Sequence, residues 1–278
     1  MKILVTGANG QLGRELQRRL QGTKFMAVDV EQMDITKQQQ VLDVMGTYRP
    51  DAVIHGAAYT NVDGAEANAE AAFKVNVVGT QNVAAACLAC NAKMVYVSTD
   101  YVFDGTVGRA YTEFDTTNPQ SVYGKSKLAG ETIARQILNR LFIVRTSWLY
   151  GDGNNFVRTM LKLGEEKEEL RIVNDQYGCP TSTVDLADVT LRLLPTESYG
   201  IYHAANQGIT TWHGFAKEIF RLAGNDRVRV LPQTTEELGR PAPRPPYSPL
   251  EPMMLKLVLE YTPRRWEMAL KEYLQQMK

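Results

Sequence analysis

Ile3-Leu4-Val5-Thr6-Gly7-Ala8-Asn9-Gly10-Gln11-Leu12-Gly13 decides the fold. An apolar, strand-like run turns through three glycines at G-x-x-G-x-x-G spacing, and a helical pattern begins at Gln11. Gly7 permits a tight turn out of the strand, Gly10 lets backbone approach an anion with no Cβ in the way, and Gly13 lets the helix pack close to a sheet. The helix N-terminus offers unpaired N–H groups and the positive end of its dipole, which is the chemistry that holds a pyrophosphate. A glycine triplet alone carries little weight. Its place between a strand and a helix, with a second strand following, gives it force.

Working outward, short apolar runs at residues 3–6, 25–28, 52–55, 94–98 and 141–145 alternate with helical patterns at 11–21, 37–48, 67–91 and 123–139. Runs of nearly unbroken Val, Ile, Leu, Ala, Met and Phe are strands covered on both faces. The alternation predicts an α/β fold: a Rossmann-type, doubly wound parallel sheet. Past Gly151 the rhythm changes, with helices expected at 155–164, 182–194, 211–223 and 261–274 and short strands at 171–173 and 201–205. Six of the twelve prolines fall in 241–252, read as an ordered extended loop. The expected organisation is a dinucleotide-binding domain at 1–150 and a smaller substrate-binding lobe from 151–278, some of whose segments return to the first core.

The 278 residues balance 31 Lys+Arg against 31 Asp+Glu. A neutral chain of this kind lacks the basic excess that nucleic acid or an anionic membrane surface demands, so neither is an expected partner. No apolar run reaches the ~18–20 residues of a membrane span, and the first apolar stretch is shorter than a signal-peptide core, so a cytoplasmic location is expected. Cys87 and Cys90 form a C-x-x-C inside an Ala-rich helical stretch with no second ligand pair, and packing is their expected role, with no metal. His55, His203 and His213 share no ligand spacing. Trp212 and Trp266 are read as anchors of the lobe, and the charges at 165–169 as a solvated helix end.

Asp29 closes the second strand, about twenty residues past the glycines, where a carboxylate accepts from ribose hydroxyls and favours NADH over NADPH. Asp34 and Ile35 follow in a loop placed to touch an adenine, and Ala57-Ala58-Tyr59 follows the third strand, where a dinucleotide crosses the sheet edge. Tyr123 and Lys127 stand one helical turn apart. An ammonium beside a phenol stabilises the phenolate and lowers its pKa, so the phenol can pass a proton to a carbonyl oxygen while hydride reaches carbon. Ser98 or Thr99, ending the fourth strand, presents a hydroxyl to the same crevice, and position favours Thr99.

These residues resemble the extended short-chain dehydrogenase/reductases. Within that superfamily Ser98–Gly105, Tyr123–Glu131, Arg145–Gly151, Asn154–Phe156, Asn174–Thr181 and Thr210–Trp212 resemble the dTDP-4-dehydrorhamnose reductases over nearly the whole chain. The resemblance implies reduction of the 4-keto group of a dTDP-linked 6-deoxy sugar with NADH or NADPH. On that pattern Tyr123 donates the proton, Lys127 tunes it and holds the cofactor ribose, and Thr99 bonds the keto oxygen. Asp100, with Tyr101 beside it, and Trp148 match sugar-pocket positions. Gly10, Gln11, Leu12, Asp29, Asp34, Ile35, Ala57, Ala58 and Tyr59 match cofactor positions. Arg244-Pro245 and Ser248 match a segment that closes on the nucleotide sugar, with extra prolines. Some members bridge a homodimer through Mg²⁺; Glu15 is present, but Val184 stands where another carboxylate belongs, so no metal is expected. Two other readings fit the same fold: a nucleotide-sugar epimerase or dehydratase that recycles NAD, and a non-catalytic subunit resembling the regulator of methionine adenosyltransferase.

Overall fold

The computed structural model describes residues 1–277. The chain begins β1 (Lys2–Thr6), α1 (Gln11–Arg19), β2 (Lys24–Val28), α2 (Gln38–Tyr48) and β3 (Ala52–His55). Two short helices, α3 (Val62–Ala67) and α4 (Ala69–Phe73), lead through a π-helical stretch (Lys74–Gly79) into α5 (Thr80–Cys90). Then come β4 (Lys93–Thr99), one 3-10 turn (Asp100–Val102), α6 (Val122–Ile137) and β5 (Leu141–Thr146). The second half holds β6 (Leu149–Tyr150), α7 (Phe156–Glu166), β7 (Glu169–Val173), β8 (Tyr177–Gly178), β9 (Thr181–Ser182), α8 (Thr183–Leu193) and β10 (Gly200–His203). It ends with β11 (Thr210–Thr211), α9 (Trp212–Ala223), β12 (Arg229–Gln233), α10 (Thr235–Leu238), α11 (Met253–Leu259) and α12 (Trp266–Gln276).

Six parallel strands form the central sheet in the order β10-β5-β4-β3-β1-β2. Successive residues of β1 serve opposite faces: Ile3 and Val5 pack with Leu16, Leu186 and Leu193, while Leu4 packs with Val41, Val83 and Met94. Hence the runs are apolar without alternation. From β1 the chain goes to β2 on one side and to β3 on the other. That reversal opens a crevice beyond the carboxyl ends of the strands. A separate cluster around Tyr150, Val157, Phe215, Trp266 and Leu270 is built from the second half. Leu186 of α8, Tyr202 of β10 and Leu255 of α11 join the sheet core instead.

Three elements depart from the sequence reading. The helix expected over 67–91 is interrupted at Asn68, whose side chain accepts from the Ala71 amide and starts a new helix. The π-helical stretch then replaces a regular turn. The last helix starts at Trp266 rather than 261, since Pro263 disfavours helical backbone before it. The proline-rich segment is ordered as expected. Its prolines cannot donate, but Pro246 and Pro249 accept from the amides of Tyr177 and Tyr111 at 2.9 and 2.8 Å. Among the described residues no helix is long and apolar enough to cross a membrane.

Candidate active site

A cleft of 510 Å³ opens at the glycine turn, and a second hollow of 450 Å³ continues it, sharing Thr6, Gly7, Gly10, Gly56, Ala58 and Thr60. Gly10, Gln11, Leu12 and Gly13 line the first, with Thr99, Asp100, Tyr101, Tyr123, Lys127 and Trp148 along its far wall. Asp29, Asp34, Ile35, Ala57, Ala58 and Tyr59 line the second. The residues read from the sequence as catalytic, cofactor-binding or part of the sugar pocket thus line one continuous crevice, whereas Arg244 and Ser248 do not line it directly.

The turn is built as its spacing requires. Gly7 has φ 71°, and a Cβ there would lie 2.8 Å from the Ala57 nitrogen. No side chain caps α1, so its first amides stay open to the cleft. This cradle and the two joined hollows fit a dinucleotide, with the pyrophosphate over Gly10–Gly13. Asp29 accepts from the amides of Asn9 and Val30 at 2.8 and 2.9 Å, which fixes its carboxylate at the rim. Asp34 spends its carboxylate on the amide and hydroxyl of Thr36 at 3.0 and 2.7 Å. Burial pulls its pKa up, and the Thr36 bonds and Lys37 outweigh that to hold it low. Its amide donates to Gln40 Oε1 and its carbonyl accepts from the Lys37 amide, so Ile35 and the outer carboxylate oxygen are what this loop offers an adenine.

Ser121 caps α6 by accepting from the Gly124 amide at 3.1 Å, which sets Tyr123 in the first turn and Lys127 one turn on. Tyr123 meets Tyr101 edge to face at 5.5 Å. Burial pushes the Tyr123 phenol up to about 12, the Thr99 hydroxyl pulls it down and Asp100 pushes it up. This reverses the direction expected from sequence. Burial outweighs the opposing bond, and Lys127 Nζ is engaged elsewhere, donating to the Val97 carbonyl at 2.8 Å and sitting 4.1 Å over the Tyr96 ring. Burial brings Lys127 itself down to about 7, against the upward pull of Glu131.

Thr99 Oγ1 accepts from the Tyr101 amide at 3.2 Å and donates to Asp100 Oδ1 at 3.1 Å. Ser248, from the proline-rich segment, donates to Asp100 Oδ2 at 2.6 Å. Buried Asp100 is pushed up to about 6 by desolvation, with the Ser248 and Thr99 bonds opposing. Ser98, the other hydroxyl at this strand end, instead donates to Glu131 at 2.6 Å, and Glu131 is clamped by Arg145 Nε and Nη2 at 2.9 and 2.7 Å. Thr99 is left as the hydroxyl on the cleft beside Tyr123.

Several features escaped the sequence reading. Trp212, read as an anchor, lines the cleft stacked on Trp148. Trp266 does lie in the second-half core. Asn76, in the π-helical stretch, accepts from the Tyr59 amide and donates to the Tyr59 carbonyl and Ser126 Oγ at 2.8, 3.2 and 2.9 Å, tying the crevice wall to α6. Nothing local in the sequence marks it. Asp63 takes both Nη2 contacts of Arg244 at 3.0 Å, so that arginine is paired at the rim. His55 lies behind the glycine turn, 2.7 Å from Thr6 Oγ1. Glu15 is held by Arg18 and Arg19 at 2.9 and 2.8 Å, and no group of three metal-ligating side chains occurs among the described residues.

The model of the RmlD substrate binding domain matches residues 1–278. The spore coat polysaccharide biosynthesis protein SpsK of Bacillus subtilis is 44% identical over 99% of this chain and 97% of its own. A dTDP-4-dehydrorhamnose reductase structure from Clostridium acetobutylicum superposes with TM-score 0.98 at 49% identity, covering 100% of this chain and 99% of that one. The dTDP-4-dehydrorhamnose reductase from Bacillus anthracis, solved with NADP, gives 0.97 at 44%, covering 99% of each. With the glycine turn, the Tyr123–Lys127 pair and these full-length matches together, the chain belongs to the dTDP-4-dehydrorhamnose reductase family.

Proposed function

We propose that this chain reduces the 4-keto group of dTDP-4-dehydro-L-rhamnose to give dTDP-L-rhamnose, with Tyr123 as proton donor. Bound NADH or NADPH supplies the hydride. The chain's own residues do the rest. The open amides of α1 hold the pyrophosphate, and Asp29 meets the adenosine ribose. Tyr123, half-buried and with its phenol pushed up to about 12 by desolvation, hands its proton to the keto oxygen as charge develops there. Lys127, one turn on and donating to the Val97 carbonyl, holds the cofactor ribose hydroxyls with its remaining hydrogens. Thr99 turns its hydroxyl towards the same oxygen and shares the developing charge. Asp100, Tyr101 and Trp148 face the sugar, and residues from 151 onward supply the other side of the pocket through Trp212 and Ser248.

One observation carries this reading: Thr99, Tyr123 and Lys127 share a single cleft with the glycine turn. Incubation with NADH or NADPH and the keto-sugar tests it. A reductase oxidises one cofactor per product. Product formation without net oxidation would assign the site to an epimerase, and neither would remove the catalytic reading.

A further inference from the structure

Trp148 is held in an unusual conformation. Four non-glycine residues have positive φ among the described residues: Arg49, Asn91, Trp148 and Glu260. Arg49, Asn91 and Glu260 sit at helix C-caps, where left-handed backbone is routine. Trp148, at φ 47°, ends no helix. A bulky side chain stays in that region only when its surroundings over-determine it, and such strain gathers at ligand sites.

Two neighbours hold it. The Trp212 ring lies flat on the Trp148 ring, with centroids 3.7 Å apart and planes 9° from parallel. On the β8 side, Gly178 leaves room that any Cβ would take, since it would stand 2.4 Å from the indole. Trp212 is itself tied down. Its Nε1 donates to Gln176 Oε1 at 3.1 Å, Gln176 Nε2 donates to Thr235 Oγ1 at 2.9 Å, and Thr235 Oγ1 donates to Asp175 at 2.6 Å. Phe156 packs 4.7 Å behind it. A chain of contacts thus runs from α10 to the cleft wall opposite the glycine turn.

We propose that Trp212 is a positioning residue that pins the Trp148 indole in its left-handed conformation as a preset apolar wall, against which the sugar of the nucleotide sugar is held with its ketone towards Tyr123. This rests on the reading of the cleft as a sugar-nucleotide reductase site. The wall is formed before ligand arrives, so its benefit falls on substrate binding more than on the chemical step.

The test uses the full chain in a Trp266→Phe background, where Trp212→Ala and Trp212→Phe leave Trp148 as the only indole of the three. Time-resolved fluorescence anisotropy then reports how firmly Trp148 is held, whether or not the protein turns over. In W212F the aromatic stack survives and Trp148 stays immobile. In W212A it gains fast motion, KM for the keto-sugar rises about three- to tenfold, and kcat falls less. W212F restores most of the KM. The proposal is overturned if Trp148 is equally immobile in W212A, if KM does not change there, or if W212F is as impaired as W212A. Should W212A not fold, Trp212→Leu in the same background, which keeps bulk, removes the aromatic stack and again leaves Trp148 as the only indole, is judged by the same two readouts. Should the parent protein not reduce the keto-sugar, the functional reading falls and the anisotropy alone decides whether Trp212 pins Trp148.

Discussion

Thr99 Oγ1 gives its one hydrogen to Asp100 Oδ1, across 3.1 Å. A hydroxyl has a single hydrogen, so Thr99 must give up its bond to ionised Asp100 before it can donate to a ketone. Burial raises Asp100 to about 6, against the Ser248 and Thr99 bonds, and Tyr101, Tyr123 and Cys179 are the titratable groups around it. As pH falls through about 6 the carboxyl protonates and the Thr99 hydrogen is released. Reduction at subsaturating keto-sugar should therefore quicken across that step, and Asp100→Asn should flatten it. Thr99→Val should lower kcat by about 10²–10³, the loss typical of one donor to a developing oxyanion. A pH–rate profile of both variants checks this, and a wild-type profile with no step near 6 contradicts it.

Tyr123→Phe removes the transferable proton and leaves the ring packed against Tyr101. General acid catalysis is worth about 10²–10⁴ in rate, so turnover should fall by at least that range while NADH affinity stays within about twofold. Single-turnover kinetics with calorimetry of cofactor binding separate the two. A variant with parental turnover would remove Tyr123 as the acid.

Lys127 is brought down to about 7 by burial, with Glu131 opposing, against 10.5 for the free amine. Between those values the unfolded chain keeps a proton that the native chain has released. The unfolded state binds more protons, so stability rises with pH across that window. Lys127→Met should remove this slope and raise the melting temperature at pH 7, where the buried amine is costly, while losing activity. In the parent, kcat/KM should decline above pH 7 as the free enzyme loses the ammonium. Urea titrations at pH 7 and 9 with a pH–rate profile test both. A Lys127→Met protein less stable than its parent at pH 7 would refute the assignment.

No Lys or Arg lines the adenine-side hollow, and Asp29 stands at its rim. A 2′-phosphate would meet this carboxylate, and the adjoining cations Arg14 and Lys37 are turned to the Asn9 carbonyl and to Asp34, so kcat/KM should favour NADH over NADPH. Asp29→Ala should narrow the difference. Steady-state kinetics with both cofactors decide, and a strong NADPH preference in the parent runs against it.

What could be read from sequence was what local spacing encodes. The glycine turn, the strand ends and the Tyr123–Lys127 turn each depend on residues within a few positions of one another, and all face the crevice. Trp212 could not be placed, because its partner Trp148 is brought to it only when β11, which leads into α9, pairs with β8. Asp63 and Arg244 meet for the same reason, across most of the chain. The direction of the Tyr123 shift depends on burial, which spacing does not report. Asn76 depends on helical register, invisible in a pattern that reads as one helix.

That register has a consequence for how the chain can vary. The six residues Lys74–Gly79 wind wider than an α-helix, which accommodates an extra residue without breaking the rod. Deleting any one of them would restore ordinary winding with the flanking helices nearly in place, and the side chains within the segment would turn to new directions. Asn76 would lose its grip on Tyr59 and Ser126, though every side chain in the crevice kept its identity. The exposed Lys74 and Val78 can vary, whereas Asn76, Gly79 and the length of the segment are fixed.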